Sequence, residues 1–187
     1  MARDVATANS LRSALQATKS HPHDIVQLEF SGLASVRRAA ANINAKVSAG
    51  DIPRIQALVF NAGYREPFGQ TRTKNDLDAA FATNHLVHWL LVMLSLQSMN
   101  KESGRVVVTQ RTNLSALHVP LDKPKKASEA YEEARWKKVC VDASSETIDS
   151  VAKSKWSGSP EDPSKDTKQL SGIRRYGASK LCSIIMM

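Results

Sequence analysis

Ile55-Gln56-Ala57-Leu58-Val59-Phe60-Asn61-Ala62-Gly63 is an apolar run of strand length closed by a turn signal. That pattern predicts a strand buried in a parallel sheet. Downstream, Phe81-Ala82-Thr83-Asn84-His85-Leu86-Val87-His88-Trp89-Leu90-Leu91 follows a helical pattern, with Leu77, Phe81, Asn84, Val87, Leu91 and Leu94 on one face. Gly104-Arg105-Val106-Val107-Val108-Thr109 is a second short β-branched strand. Upstream, Ile25-Val26-Gln27-Leu28-Glu29-Phe30 reads as a strand. Ser31 then caps a helix with the apolar stripe Val36, Ala39, Ala40, Ile43 and Val47, ended by Gly50 and Pro53. Residues 4–18 favour a helix capped by Asp4 and stopped at His21-Pro22. Strands alternating with helices predict an α/β fold with helices on both faces of a parallel sheet.

The second half is less regular. Residues 111–127 read as irregular and residues 128–155 as one or two helices, with Ser128 as cap and Glu129, Glu132 and Glu133 near the start. Gly158, Pro160, Pro163 and Gly172 mark residues 156–172 as loop, and a last helix runs from near Gly172 to Met187. That helix carries Tyr176-Gly177-Ala178-Ser179-Lys180. Tyr176 and Lys180, four positions apart, share a helix face. A neighbouring ammonium favours the phenolate, so Tyr176 is a candidate general acid for a carbonyl oxygen. Alone, the pair also fits an ordinary surface helix.

Length and composition bound the remaining classes. A chain of 187 residues with 42% hydrophobic content fits one domain with a sizeable core. The net charge of +8 is scattered, with one tight cluster at Lys123, Lys125 and Lys126, and only 5% of residues are aromatic. No aromatic residue interleaves with a basic stripe, so the charge reads as a solvated surface and no nucleic-acid partner is expected. Cys140 and Cys182 are too few and too far apart in sequence for a disulfide framework or a metal site. No apolar signal-peptide core stands near Met1, and the apolar run 86–96 is short for a membrane span. A cytoplasmic protein with no membrane partner is the expectation, with homo-oligomer formation left open.

Strand, Asn61-Ala62-Gly63, a helix bearing Asn84, strand, and Tyr-x-x-x-Lys follow one another in a fixed order. This succession resembles the short-chain dehydrogenase/reductase family along the whole chain. Arg174-Arg175-Tyr176-Gly177-Ala178-Ser179-Lys180-Leu181 is most similar to fungal members with a long insertion before the tyrosine helix. The resemblance implies a partial Rossmann-like, doubly wound parallel sheet. It is read as a single incomplete NAD(P)-binding domain over residues 1–187, with 110–171 as an insertion or irregular region. Set against the family, the chain reads as lacking the first strand and its glycine turn, and as stopping inside the tyrosine helix. A sheet without its central strand would expose apolar edges, so marginal stability and aggregation are expected.

The resemblance also assigns roles. Tyr176, Lys180, Asn84 and a serine form the proton-relay set. Lys180 would lower the Tyr176 pKa and bind ribose hydroxyls, and Asn61, Ala62 and Gly63 would lie against that ribose. The serine position is open: ungapped it falls on Arg111, and with residues 110–113 inserted it falls on Ser115, within Ser115-Ala116-Leu117-His118. Arg3 matches a position that contacts an adenosine 2′-phosphate, for which a guanidinium is apt. It is equally readable as a plain terminal residue. Glu29 stands where the family has an adenine-binding Asp, one methylene shorter. The implied cofactor is NADP, with NAD as the alternative, and the implied substrate is a small carbonyl or alcohol. Against each role stands a bland reading: a plain turn at 61–63, a satisfied core Asn84. His85, His88 and His118 have no metal-ligand spacing and read as structural, as do Trp89, Trp136 and Trp156. The rival to an oxidoreductase is a non-catalytic remnant or interaction protein on the same scaffold. No turnover is expected from these 187 residues alone.

Overall fold

The computed structural model describes residues 8–17, 23–30, 32–109, 129–158 and 170–185. They fall into two units, one within Met1–Gln56 and Leu90–Gly104, the other within Ala57–Trp89 and Arg105–Met187.

The first unit contains helices α1 (Asn9–Ala17) and α2 (Leu33–Ala49). The stripe read from sequence is the buried face of α2: Val36, Ala39, Ala40 and Ile43 are buried together with Ser35, while Val47 is half-buried. Gly32 occupies the N-cap, and Ser31 lies outside the described residues. Gly50 ends the helix at φ 80, a left-handed conformation that glycine adopts without a Cβ clash. Asn44 fastens α2 to the chain near residue 94. Its amide donates to the Leu94 carbonyl at 2.8 Å, and its oxygen accepts from the Ser98 hydroxyl at 2.6 Å. The strand expected at residues 25–30 is not formed. The segment makes a single bridge at Gln27, although Leu28 is buried. Among the described residues the one sheet has two strands, neither of them here.

The second unit holds that sheet. Strands β1 (Ala57–Phe60) and β2 (Arg105–Val108) pair in parallel, with Ala57 opposite Arg105 and Phe60 opposite Val108. Leu58 and Phe60 are buried, whereas Val59 and its register partner Val107 are exposed. The expectation of a strand buried on both faces therefore holds for one face of β1.

The crossover between the strands is α3 (Ala79–Phe81), a π-helical turn (Ala82–Leu86), α4 (Val87–Ser95) and a 3₁₀ turn (Leu96–Ser98). The Asp78 carboxylate caps α3, accepting from the Ala80 and Phe81 N–H groups at 2.9 and 3.2 Å. The helical stretch Ala79–Ser98 is longer than the 86–96 run. By length and composition, with mean hydropathy 1.4, it is enough to cross a membrane. It carries Asn84, His88 and Ser95 fully buried within the protein, as a core helix does.

Residues 128–155 hold helix in part: Glu129 and Ala130 are helical, and a longer helix follows. Ala134–Lys137 is a 3₁₀ turn, and α5 spans Ser145–Ala152, with the Ser144 hydroxyl accepting from the Thr147 N–H at 3.2 Å. Ser144 caps this helix, and the expected cap Ser128 lies outside the described residues. The presence of α5 also shows that residues 110–171 are not irregular throughout. Trp136 holds the 3₁₀ turn by packing. Trp156 meets its ring edge-on at 5.8 Å, and the Arg174 guanidinium lies 4.2 Å over it. Trp136 and Trp156 thus pack as expected, whereas Trp89 is 40% exposed. The last helix, α6 (Leu170–Ile185), begins two residues before Gly172 and buries most of its circumference.

Candidate active site

The site is built at the carboxyl ends of β1 and β2, where the chain leaves the sheet. In open α/β sheets this edge is where ligands bind. Asn61 follows β1 and Thr109 follows β2, and the Thr109 hydroxyl donates to the Asn61 side-chain oxygen at 2.7 Å. Both are exposed.

The turn that begins at Asn61 is clamped onto the helices by backbone contacts. The Asn84 side chain grips Tyr64 twice: its oxygen accepts from the Tyr64 N–H at 2.7 Å, and its amide donates to the Tyr64 carbonyl at 2.8 Å. The second amide hydrogen goes to the Ser179 hydroxyl at 2.9 Å. Asn84 is fully buried, so each of its side-chain groups needs such a partner. The π-helical turn carrying Asn84 widens the backbone ladder there. The Asn84 carbonyl accepts from the Ser183 hydroxyl on α6 at 2.9 Å. Ser179 in turn donates to the Tyr176 carbonyl at 2.8 Å. Two serines on α6 therefore lock the Asn84 turn to the helix that carries Tyr176 and Lys180.

Gly172 and Arg175 hold the far side of the turn. A Cβ on Gly172 would lie 2.7 Å from the carbonyl oxygens of both Glu66 and Pro67, so only glycine allows this approach. Arg175 donates to the Glu66 carbonyl at 3.3 Å, to the Gly69 carbonyl, and to the Ser171 hydroxyl at 3.2 Å. Its Nε stands 3.5 Å from the Asp78 carboxylate, with the two side chains 3% and 2% exposed. The buried pair ties the start of α3, the turn and α6 together.

Lys180 is a second buried cation of the site. Its Nζ lies 5.8 Å from the Tyr176 ring centroid. A Cβ on Gly63 would meet that Nζ at 3.4 Å and Asn84 Oδ1 at 3.6 Å. Burial pushes the Lys180 ammonium below its usual range. Tyr176 is half-buried.

Of the residues singled out from sequence, the fold brings Gly63, Asn84, Tyr176 and Lys180 together, with Asn61 at the same strand edge and half-buried Ala62 between it and Gly63. Glu29 belongs to the first unit, where its N–H donates to Ser35 Oγ at 2.9 Å. Arg3, Arg111, Ser115 and His118 lie outside the described residues. His85 and His88 pack on aromatic rings, 5.1 Å from Phe81 and 4.7 Å from Phe60. Burial pushes both imidazoles down to about 4, with the Lys180 charge contributing at His88. Sequence reasoning missed Ser179, Ser183, Arg175, Asp78 and Gly172. The signal for the serines was their four-residue spacing on the Lys180 helix. The signal for Asp78 was an acidic residue just before an apolar helix.

No protein-family model matches the chain. Among curated proteins it is 36% identical over 190 residues to the short-chain dehydrogenase iccH of Talaromyces variabilis, an alignment covering 96% of this chain and 51% of that protein. The chain belongs to the short-chain dehydrogenase/reductase family. A second relative is the chloroplastic protochlorophyllide reductase of Cucumis sativus, 30% identical over 125 residues, covering 63% of this chain and 30% of that protein. The chain thus spans about half the length of the first of these relatives and less of the second. Members of this family use nicotinamide dinucleotides, and the observed parallel sheet with its helical crossover is compatible with a partial Rossmann-like fold.

Proposed function

We propose that the chain supplies the proton-transfer and ribose-binding side of an NAD(P)H-dependent oxidoreductase that interconverts a carbonyl and an alcohol, with NADP as the preferred cofactor. One observation carries this reading: Gly63, Asn84 and Lys180 converge beneath the Tyr176 helix at the carboxyl edge of a parallel sheet. The fit to a dinucleotide rests on the same place. Gly63 is exposed, and a Cβ there would meet the Lys180 Nζ at 3.4 Å, so the bare glycine backbone brings a ribose diol toward backbone and cation together.

In this reading Tyr176 gives its phenolic proton to the carbonyl oxygen, and the Lys180 ammonium stabilises the phenolate left behind. Lys180 also donates to the ribose hydroxyls, against which Asn61, Ala62 and Gly63 pack. Asn84 is a positioning residue: it fixes the turn through Tyr64 and the helix through Ser179. Ser115 would hydrogen-bond the substrate oxygen, Arg3 would grip a 2′-phosphate, and Glu29 would reach toward adenine. The nicotinamide, when bound, supplies the hydride.

NADPH titration of the purified chain, followed by tryptophan quenching, tests the proposal. Saturable binding is expected, weakened about tenfold or more in Lys180→Ala, because a charge-assisted hydrogen bond is worth about 1.5–3 kcal/mol. Absence of binding by NADPH and NADH, or equal binding by Lys180→Ala, would overturn it.

A further inference from the structure

Asn61 and Thr109 are the first residues past the carboxyl ends of β1 and β2, and their side chains meet across the sheet edge. The backbone continues the ladder there by one step, the Thr109 N–H donating to the Phe60 carbonyl at 2.9 Å. The Thr109 hydroxyl oxygen stands 2.7 Å from Asn61 Oδ1 and 3.2 Å from the Phe60 carbonyl oxygen. A hydroxyl has one proton to give. The shorter contact has the usual O–H···O separation, and the Phe60 carbonyl already holds the Thr109 N–H, so the proton goes to Asn61. That bond fixes which end of the carboxamide faces β2. The oxygen is turned to Thr109, and the two Nδ2 hydrogens have no partner among the described residues. Both side chains are exposed, at the edge where open α/β sheets bind their ligands.

We propose that Thr109 is a positioning residue of the dinucleotide site: it locks the Asn61 carboxamide so that Nδ2 donates to a hydroxyl oxygen of the bound ribose. The inference rests on the function proposed above and adds to it a donor and the residue that aims it. A ribose diol carries acceptor lone pairs on both oxygens, so a donor in addition to the Lys180 ammonium finds a partner there. An exposed Asn side chain with no bond of its own samples several rotamers, and ordering it on binding costs affinity. The Thr109 bond does that ordering in the free chain. In the unfolded chain water replaces the bond at both exposed groups, so its weight in folding is small. Over a bound ligand the same pair is taken out of water, and a misdirected carboxamide would then face the ribose oxygen with its own oxygen. The effect of Thr109 therefore falls on ligand affinity and little on stability.

Calorimetric titration of the whole chain with NADPH, in a double-mutant cycle, tests this. Thr109→Val keeps the β-branched shape and removes the hydroxyl. It should raise the NADPH Kd about threefold to tenfold and leave the urea midpoint in place. Thr109→Ser restores the hydroxyl and should bind as the unsubstituted chain does. Asn61→Ala should weaken binding at least as much as Thr109→Val, and adding Thr109→Val to it should change nothing further. A hydroxyl that merely propped the strand ends would cost affinity on either background. Asn61→Asp keeps an acceptor for Thr109 but has no donor, and should bind no better than Asn61→Ala. Four results would each overturn the inference while leaving the proposed function standing: an unchanged Kd in Thr109→Val, a Thr109→Ser chain as weak as Thr109→Val, a further loss on the Asn61→Ala background, or full affinity in Asn61→Asp. Failure of the unsubstituted chain to bind NADPH or NADH would remove that function and this inference with it.

Discussion

Gly177→Ala tests the packing that sets the Tyr176 helix in place. A Cβ built on Gly177 would lie 2.1 Å from the Tyr131 hydroxyl oxygen and 3.3 Å from its ring carbon Cζ. Tyr131 is 3% exposed and reaches the Ile173 carbonyl at 3.4 Å, so the ring has little room to withdraw. Overpacking of this kind costs about 1–3 kcal/mol. Replacing a helical glycine with alanine returns up to about 1 kcal/mol. The net expectation is a loss of about 1–2 kcal/mol for Gly177→Ala. The phenol oxygen is the atom in conflict, and Tyr131→Phe removes it, leaving the tight but tolerable contact with the ring carbon. Tyr131→Phe alone sacrifices one long hydrogen bond, worth under about 1 kcal/mol. Added to Tyr131→Phe, the Gly177→Ala change should therefore be close to neutral. The assay is a double-mutant cycle in urea, read by tryptophan fluorescence, with a coupling of about 1 kcal/mol or more expected. Gly177→Ala that is neutral or stabilising beside Tyr131, with no coupling in the cycle, would refute the reasoning.

Further outcomes follow from the same geometry. Asn84→Leu keeps the branched shape but strands the Tyr64 N–H and carbonyl and removes the donor to the Ser179 hydroxyl. A loss of about 2–4 kcal/mol is expected in urea unfolding, and a loss below about 0.5 kcal/mol would contradict the clamp. His85 and His88, held near 4 when folded against an ordinary 6.5, bind fewer protons in the folded chain between those values. Their contribution is fully present above pH 6.5 and is lost as pH falls toward 4. It amounts to about 2 kcal/mol per histidine by pH 5. The urea midpoint should fall from pH 7.5 to pH 5, and His88→Phe should reduce that fall; a midpoint that does not move would contradict the burial argument.

How far the fold was legible depends on what fixed each element. Strands β1 and β2 carry their apolar runs locally, and the α2 stripe at Val36, Ala39, Ala40 and Ile43 emerges as its buried face. Asn84 was legible because a polar residue on an apolar helical face must be satisfied somewhere. Its partners were not: the Tyr64 backbone and Ser179 lie 20 and 95 residues away. The π-helical turn at Ala82–Leu86 has no composition signal, and its contact with Ser183 on α6 is distant in sequence. Residues 25–30 had the pattern of a strand, but a strand is defined by its neighbour, and one bridge at Gln27 does not make a ladder. Gly172 and Gly177 looked like a boundary and a motif filler. Both are close approaches to chain segments far off in sequence.

The central claim is that a nicotinamide dinucleotide lies over the turn at Asn61, Ala62 and Gly63 beside Lys180. Hydrogen–deuterium exchange of the chain, with and without saturating NADPH, tests it most directly. The account expects slowed exchange confined to peptides covering residues 61–64 and 176–180, with the protection lost in Lys180→Ala. Unchanged exchange in both peptides, or protection that appears only elsewhere in the chain, would contradict it.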